Sequence, residues 1–273
     1  MVLKIVDKEL GWAGRARYFL NITSSPGNPV LRGVTMKSRQ RKPDDKEIHK
    51  SYMNFQRPKE NRGNVVLFVA LFLDFLGLLP LVGEPFSLSF FLLGAIPLFV
   101  MNVWGIVYII NPYKYEHSYY FFMGVLGIVT TFVYFVAIQK MLYLNLDTKG
   151  MFPVIAGGVL FIILLGGMNW LNIKALYTGT YARLQRHETS RLQFGMPVAG
   201  ISYIIGQILI MSVKGETAHF SVMIVLLSLL SVVTAFLSIY LHRYYYIRQN
   251  LEEVKRVYPE FNIPKEARLR ENQ

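Results

Sequence analysis

Residues 64–83 read NVVLFVALFLDFLGLLPLVG, and the ten at its heart, LFLDFLGLLP (71–80), place one carboxylate in an otherwise apolar run. A helix of about 20 apolar residues covers the roughly 30 Å of hydrocarbon in a bilayer. The stretch therefore reads as a membrane-spanning helix with Asp74 at its centre. That position is where a carboxylate is most costly, about 3 kcal/mol on insertion scales. Either Asp74 is satisfied by neighbouring helices or it serves a function.

Five further runs of the same kind follow, at about 88–111, 119–139, 152–173, 195–213 and 220–242. The overall content of 53% hydrophobic residues in 273 does not separate the chain from a soluble protein. The distribution does, because residues 1–63 and 243–273 are polar and charged while the apolar runs between them are nearly free of charge. Lipid cannot satisfy backbone N–H and C=O groups, and each run is too long and too continuously apolar for a barrel strand. The predicted fold is all-α, a polytopic bundle of six transmembrane helices. Pro153 and Pro197 sit in first turns, where a missing N–H matters least. Pro80 is near an end, and Pro97 predicts a kink within its span.

The net charge of +12 reads as topology rather than nucleic-acid binding. Of the 29 Lys and Arg, 26 fall in the N-terminal segment, the even-numbered loops and the tail, against 3 in the odd-numbered loops. Both termini are expected in the cytoplasm. Tyr113, Tyr115, Tyr119 and Tyr120, and again Tyr244, Tyr245 and Tyr246, mark two interface levels, with rings in lipid and hydroxyls in water. No apolar leader precedes the first run, which is expected to act as its own insertion signal. The expected setting is the plasma membrane of a bacterium.

Three parts follow from this pattern: a basic N-terminal segment 1–63, partly disordered or interfacial, a transmembrane domain 64–242, and a cytoplasmic helical tail 243–273. Leu3, Val6, Leu10 and Trp12 suit a short interfacial helix, and the basic stretch MKSRQRKPDDKEIHK (36–50) suits anionic lipid. The sequon Asn21-Ile22-Thr23 falls on the cytoplasmic side and is not expected to be used. In the tail, Ile247, Leu251, Val254 and Tyr258 recur on one helical face and Pro259 ends the pattern, so residues beyond it should be dispensable for folding. That face (247–258) is expected to dock on this chain, residues 181–194 being one candidate surface, or on a membrane or cytoplasmic partner.

Enzyme signatures do not occur. There is no HExxH, GxSxG, GxxxxGK[ST] or GxGxxG, and no cysteine for thiol chemistry or thiolate metal ligation. The five histidines are scattered, and no metal or other cofactor is expected. No Lys or Arg lies within the six runs to pair with Asp74. The polar residues at similar depth are Asn102, Thr130, Thr131, Gln207, Ser231 and Thr234, which with Asp74 make the candidate intramembrane site. A protonated carboxyl bonded to Asn, Gln or Thr links helices in membranes. The functional alternative is a proton or cation site in a permeation path. Small-residue pairs Ser202-xxx-Gly206 and Ser231-xxx-Ala235, with Gly157-Gly158 and Gly166-Gly167, permit close helix approach. The expectation is a non-catalytic binding or accessory protein, in secretion, assembly or protection against a toxin. A small-solute or ion transporter using Asp74 is the alternative.

Overall fold

In the structure, a computed structural model, residues 52, 58–181, 215–264 and 268 are described, all within the unit Pro43–Gln273. The regular elements among them are all helices: α1 (Pro58–Val82), α2 (Leu88–Ile110), α3 (Glu116–Asn145), α4 (Phe152–Tyr177), α5 (Glu216–Gln249) and the short α6 (Leu251–Val257). The first five are long and apolar enough to cross a membrane. They contain five of the expected runs almost entirely. The sixth run, 195–213, lies outside the described residues, as do Gln207, the Ser202-xxx-Gly206 pair, residues 182–194 of the expected loop helix and the N-terminal lipid-binding stretch. Helices α1, α3 and α5 extend past the apolar runs because a helix continues into water after its hydrophobic residues stop, whereas hydropathy reads only the part in lipid. Helix α2 runs unbroken through Pro97.

Helix α3 is the centre of the bundle. In its most apolar window 61% of residues are buried, against none in that of α4. It packs against α1, α2, α4 and α5. Lipid is as apolar as leucine, so burial alone gives helices little reason to associate, and close backbone approach takes its place. Gly124 and Gly127 supply that approach. A Cβ on Gly127 would lie 2.8 Å from the Thr234 carbonyl oxygen and 2.9 Å from the Ser238 nitrogen. On Gly124 it would lie 2.6 Å from the Leu241 nitrogen. Helix α5 therefore lies on the bare backbone of α3, and where it crosses, its ladder tightens. Leu237 and Ser238 donate to Thr234 and Ala235, three residues back, and Tyr240 and Leu241 repeat the pattern. Of the described glycines read from the sequence, only Gly157 is closely approached, by the side chains of Phe135 and Gln139. Gly158, Gly166 and Gly167 have nothing within 4 Å.

Helix α1 carries a long π-helical stretch, Leu67–Leu78, between two α-helical ends. After Pro58, its buried residues are Asn61, Val65, Val69, Leu73, Gly77 and Leu81, one in every four. In an α-helix of 3.6 residues per turn a four-residue repeat drifts by about 40° each step. The wider π turn, with more than four residues, drifts the other way, offsets that of the α-helical ends and holds the stripe against α2 and α3.

Side-chain bonds give the directions of the helices. Lys140, near the end of α3, meets carbonyls at the end of α1, and Gln139 donates to Pro153 at the start of α4. Tyr108, near the end of α2, donates to Ser118 at the start of α3. Thr131 and Thr234 pair across α3 and α5 at 3.0 Å, with Leu241 beside Gly124 and Tyr244 stacked on His117. So α1 and α3 point one way and α2, α4 and α5 the other. The start of α1, the α2–α3 turn and the end of α5 share one end of the bundle, called here the terminal end.

The tail departs from the sequence expectation. Asn250 breaks the helix (φ −113°, ψ 31°), and α6 stops at Val257. The buried face nonetheless continues past Pro259: Ile247, Val254 and Phe261 are all in the core. Phe261 packs edge-on against His117, and the Asn262 N–H donates to Glu116 Oε2 at 2.8 Å. Arg268 forms an ion pair with the same carboxylate. Residues beyond Pro259 are thus part of the fold, because they satisfy a carboxylate that is 3% exposed. Helical periodicity could not show this, since the contact is made by a turn.

Two outcomes follow for the stability of the purified protein. Gly127→Ala should lower it by about 2 kcal/mol, because the new methyl meets backbone that cannot move aside. Gly158→Ala, in open space, should be neutral or stabilising, and equal thermal unfolding of the two variants would contradict the close crossing. Arg268→Met should cost about 3 kcal/mol by stranding Glu116. The double variant Glu116→Gln/Arg268→Met should recover much of that loss, and additive losses would mean the pair does not hold the tail.

Candidate intramembrane polar site

Asp74 sits in the π-helical stretch of α1, half-buried, and its Oδ1 accepts a 2.7 Å hydrogen bond from Asn102 Nδ2 on α2. The second amide proton of Asn102 goes to the Leu98 carbonyl at 3.1 Å, one turn back. A capped amide of this kind is held in one rotamer and presents a fixed donor to the carboxyl group. The link joins α1 to α2.

The remaining described candidates do not gather around Asp74. Thr131 and Thr234 pair with each other where α3 crosses α5, and Thr131 also donates to the Gly127 carbonyl at 2.7 Å. Thr130 donates to Leu126 and Ser231 to Leu227, each bonding back along its own helix. Thr131 and Ser231 help line a cavity of about 290 Å³ between α3, α4 and α5, together with Gln139 and Gly157. Asp74 and Asn102 are not on its wall. The candidate set thus divides into an α1–α2 link and an α3–α5 crossing. Sequence position gives depth along a helix axis but not the direction a residue faces around it.

Several polar groups that hydropathy did not single out are bound inside the fold. Lys140 was read as part of a loop, outside every run. It lies instead within α3 and is 1% exposed. Its ammonium donates to the Pro80 carbonyl at 2.9 Å, to Leu81 at 3.0 Å and to Gly83. These are orphan carbonyls at the end of α1, which a cation satisfies best. The Tyr134 hydroxyl donates to the Phe72 carbonyl in the π-helical stretch at 2.6 Å. Near the terminal end, Asn169 donates to Ser238 Oγ at 2.9 Å. A sequence signal existed for Lys140, a base immediately after a long apolar run, and for Asn169, a polar residue inside one.

The terminal end also carries a hydrogen-bonded aromatic cluster. Tyr52 is buried, with its hydroxyl 2.8 Å from His242 Nδ1 and 3.1 Å from Asn172 Nδ2. Asn172 Oδ1 accepts from Tyr181 at 2.6 Å. Tyr246 packs edge-on against Tyr52 at 5.1 Å. Burial pushes the Tyr52 hydroxyl up to about 12. The cluster ties the chain before α1 and the chain after α4 to the end of α5. Among the described residues no group of three His, Cys, Asp or Glu is placed to hold a metal ion.

Compared with family models, with curated proteins and with solved structures, the chain matches none.

Proposed function

We propose that this chain is a six-span protein of a bacterial plasma membrane with both termini in the cytoplasm. It acts without chemistry of its own, as a binding or accessory component of a secretion or assembly system or in protection against a membrane-acting toxin. The observation that carries this reading is how the intramembrane polar groups are used. Asp74 with Asn102, Thr131 with Thr234, Asn169 with Ser238 and Tyr134 with the Phe72 carbonyl each join one helix to another. A permeation path would instead bring such groups to one shared cavity. The count of six is supported by direction. Helices α4 and α5 point the same way, which leaves one crossing to residues 182–214, where the apolar run 195–213 lies. The orientation is supported by the 26-to-3 division of Lys and Arg.

One feature favours the transporter reading. Asp74 lies in a π-helical stretch and is only half-buried, and π-helical turns recur at functional sites. The two readings separate on Asp74→Asn. As a helix link, the amide keeps a hydrogen-bonding group of the same size, and thermal stability in detergent should stay within about 1 kcal/mol of the parent. Asp74→Leu should then cost about 2 kcal/mol by stranding the Asn102 amide. As an ion site, Asp74→Asn should leave the fold intact and abolish proton or cation flux in liposomes. Asn and Leu variants both as stable as the parent, and without any flux defect, would remove both roles.

Topology is tested in the cysteine-free background. The Lys149 side chain is fully open, between α3 and α4. Lys149→Cys should react with a membrane-impermeant thiol reagent in intact cells, and Lys255→Cys only after lysis. The opposite pattern would invert the orientation.

A further inference from the structure

A cavity of about 760 Å³ opens at the terminal end of the bundle, between the start of α1, the α2–α3 turn and the tail. Lys59 and Arg62 line it from α1, Asn111, Tyr113 and Lys114 from the turn, and Pro264 from the tail. Among the described residues its wall carries three bases and no acid. Neither Lys59 nor Arg62 is paired with an acid among the described residues, and all three bases are exposed. The nearest buried carboxylate, Glu116, is already neutralised by Arg268 and by the Asn262 N–H. Among the described residues the site thus gathers positive charge that no acid on its wall offsets, in a concave space of ligand size.

The wall is also fixed in place. Asn111 Oδ1 accepts from the Lys114 N–H at 3.3 Å, closing the turn. The Arg268 guanidinium lies 5.4 Å from the Tyr113 ring centre, and the Lys114 ammonium 5.5 Å from that of Tyr115. Arg268 thus joins Glu116 and Tyr113 into one support. The turn that presents Lys114 is thereby held in place for an anion.

What enters the cavity is indicated by what it opens onto. Ile110, on its wall, is 76% exposed. Ile106, Val103, Phe99 and Ile96 follow it along the same face of α2, all exposed, at spacings of three and four. A soluble anion would have no use for such a stripe. A lipid has, because its phosphate lies at the aromatic level of the interface while its chains run down the apolar face. We propose that this cavity seats the phosphate-bearing headgroup of an anionic phospholipid, with Lys59, Arg62 and Lys114 as its cationic partners and the Ile110–Ile106–Val103 stripe beside its acyl chains. The proposal does not depend on which side of the membrane the termini occupy, nor on the accessory or transporter reading.

The test uses the full chain purified in uncharged detergent, with thermal unfolding read as lipid is added. Phosphatidylglycerol should raise Tm in a saturable way, and phosphatidylcholine should not. The triple variant Lys59→Gln/Arg62→Gln/Lys114→Gln changes only exposed side chains and should fold. It should bind phosphatidylglycerol about a hundredfold more weakly. The matched variant Arg248→Gln/Lys255→Gln/Arg256→Gln removes the same charge from the tail and should keep the full shift. Equal loss in both triple variants would mean diffuse surface attraction and overturn the site. A shift as large with inorganic phosphate or glycerol phosphate as with phosphatidylglycerol would overturn the lipid as its occupant.

Discussion

Helix α5 rests on the backbone of α3 at Gly124 and Gly127, and the arrangement of the remaining helices depends on that crossing. Apolar side chains lose little by staying in lipid, so a membrane bundle is held where backbones come close enough for dispersion and short hydrogen bonds. The two glycines admit α5, the Thr131–Thr234 pair fixes the register, and the tightened turns at Thr234–Leu241 follow where the ladder meets bare backbone. Ser238, within those turns, accepts from Asn169 and so brings α4 to the same point. Beyond the crossing, Ile247, Val254 and Phe261 carry the chain back over the start of α3, where the tail closes on Glu116.

A second constraint shapes the other side of the bundle. Polar groups withdrawn from water must be satisfied within the protein. Lys140 neutralises the carbonyl end of α1, Tyr134 takes the Phe72 carbonyl, and Asn102 takes Asp74. The π-helical stretch belongs to the same solution. By slowing the helical turn it keeps one stripe of α1 against α2 and α3, while Asp74, next to Leu73 of that stripe, reaches α2. Helix α4 is different, with no buried residue in its most apolar window, and it joins the bundle through the packing of Gly157 and Phe161 on Phe135 and the bonds at Pro153 and Asn169.

The two ends of the bundle differ in chemistry. The terminal end gathers the buried Tyr52, Tyr108, Tyr119 and Tyr120, His117 and His242, the Glu116–Arg268 pair and the basic cavity. The opposite end has short turns and the Lys140 cap. Polar recognition is thus concentrated where the tail and the segment before α1 meet the helices. The interior is built mainly from links between neighbouring helices.

The sequence alone determined that the described chain is helical and where five apolar helices run, because hydropathy over about 20 residues is a property of local composition. It also named Asp74 and Asn102, since a polar residue in an apolar run is conspicuous without any structure, and it marked Ile247 and Val254 by their helical spacing. The tertiary structure decided the rest. That Asn102 meets Asp74 while Thr131 meets Thr234 depends on rotation about the helix axes, which depth does not encode. Gly124 and Gly127 matter because α5 crosses there, and neither was distinguishable from Gly158 or Gly166 by spacing. Lys140, Glu116 and Phe261 sit at helix ends or in turns, where periodicity carries no signal. Their partners lie on other helices or far along the chain, and only the folded bundle brings them into contact.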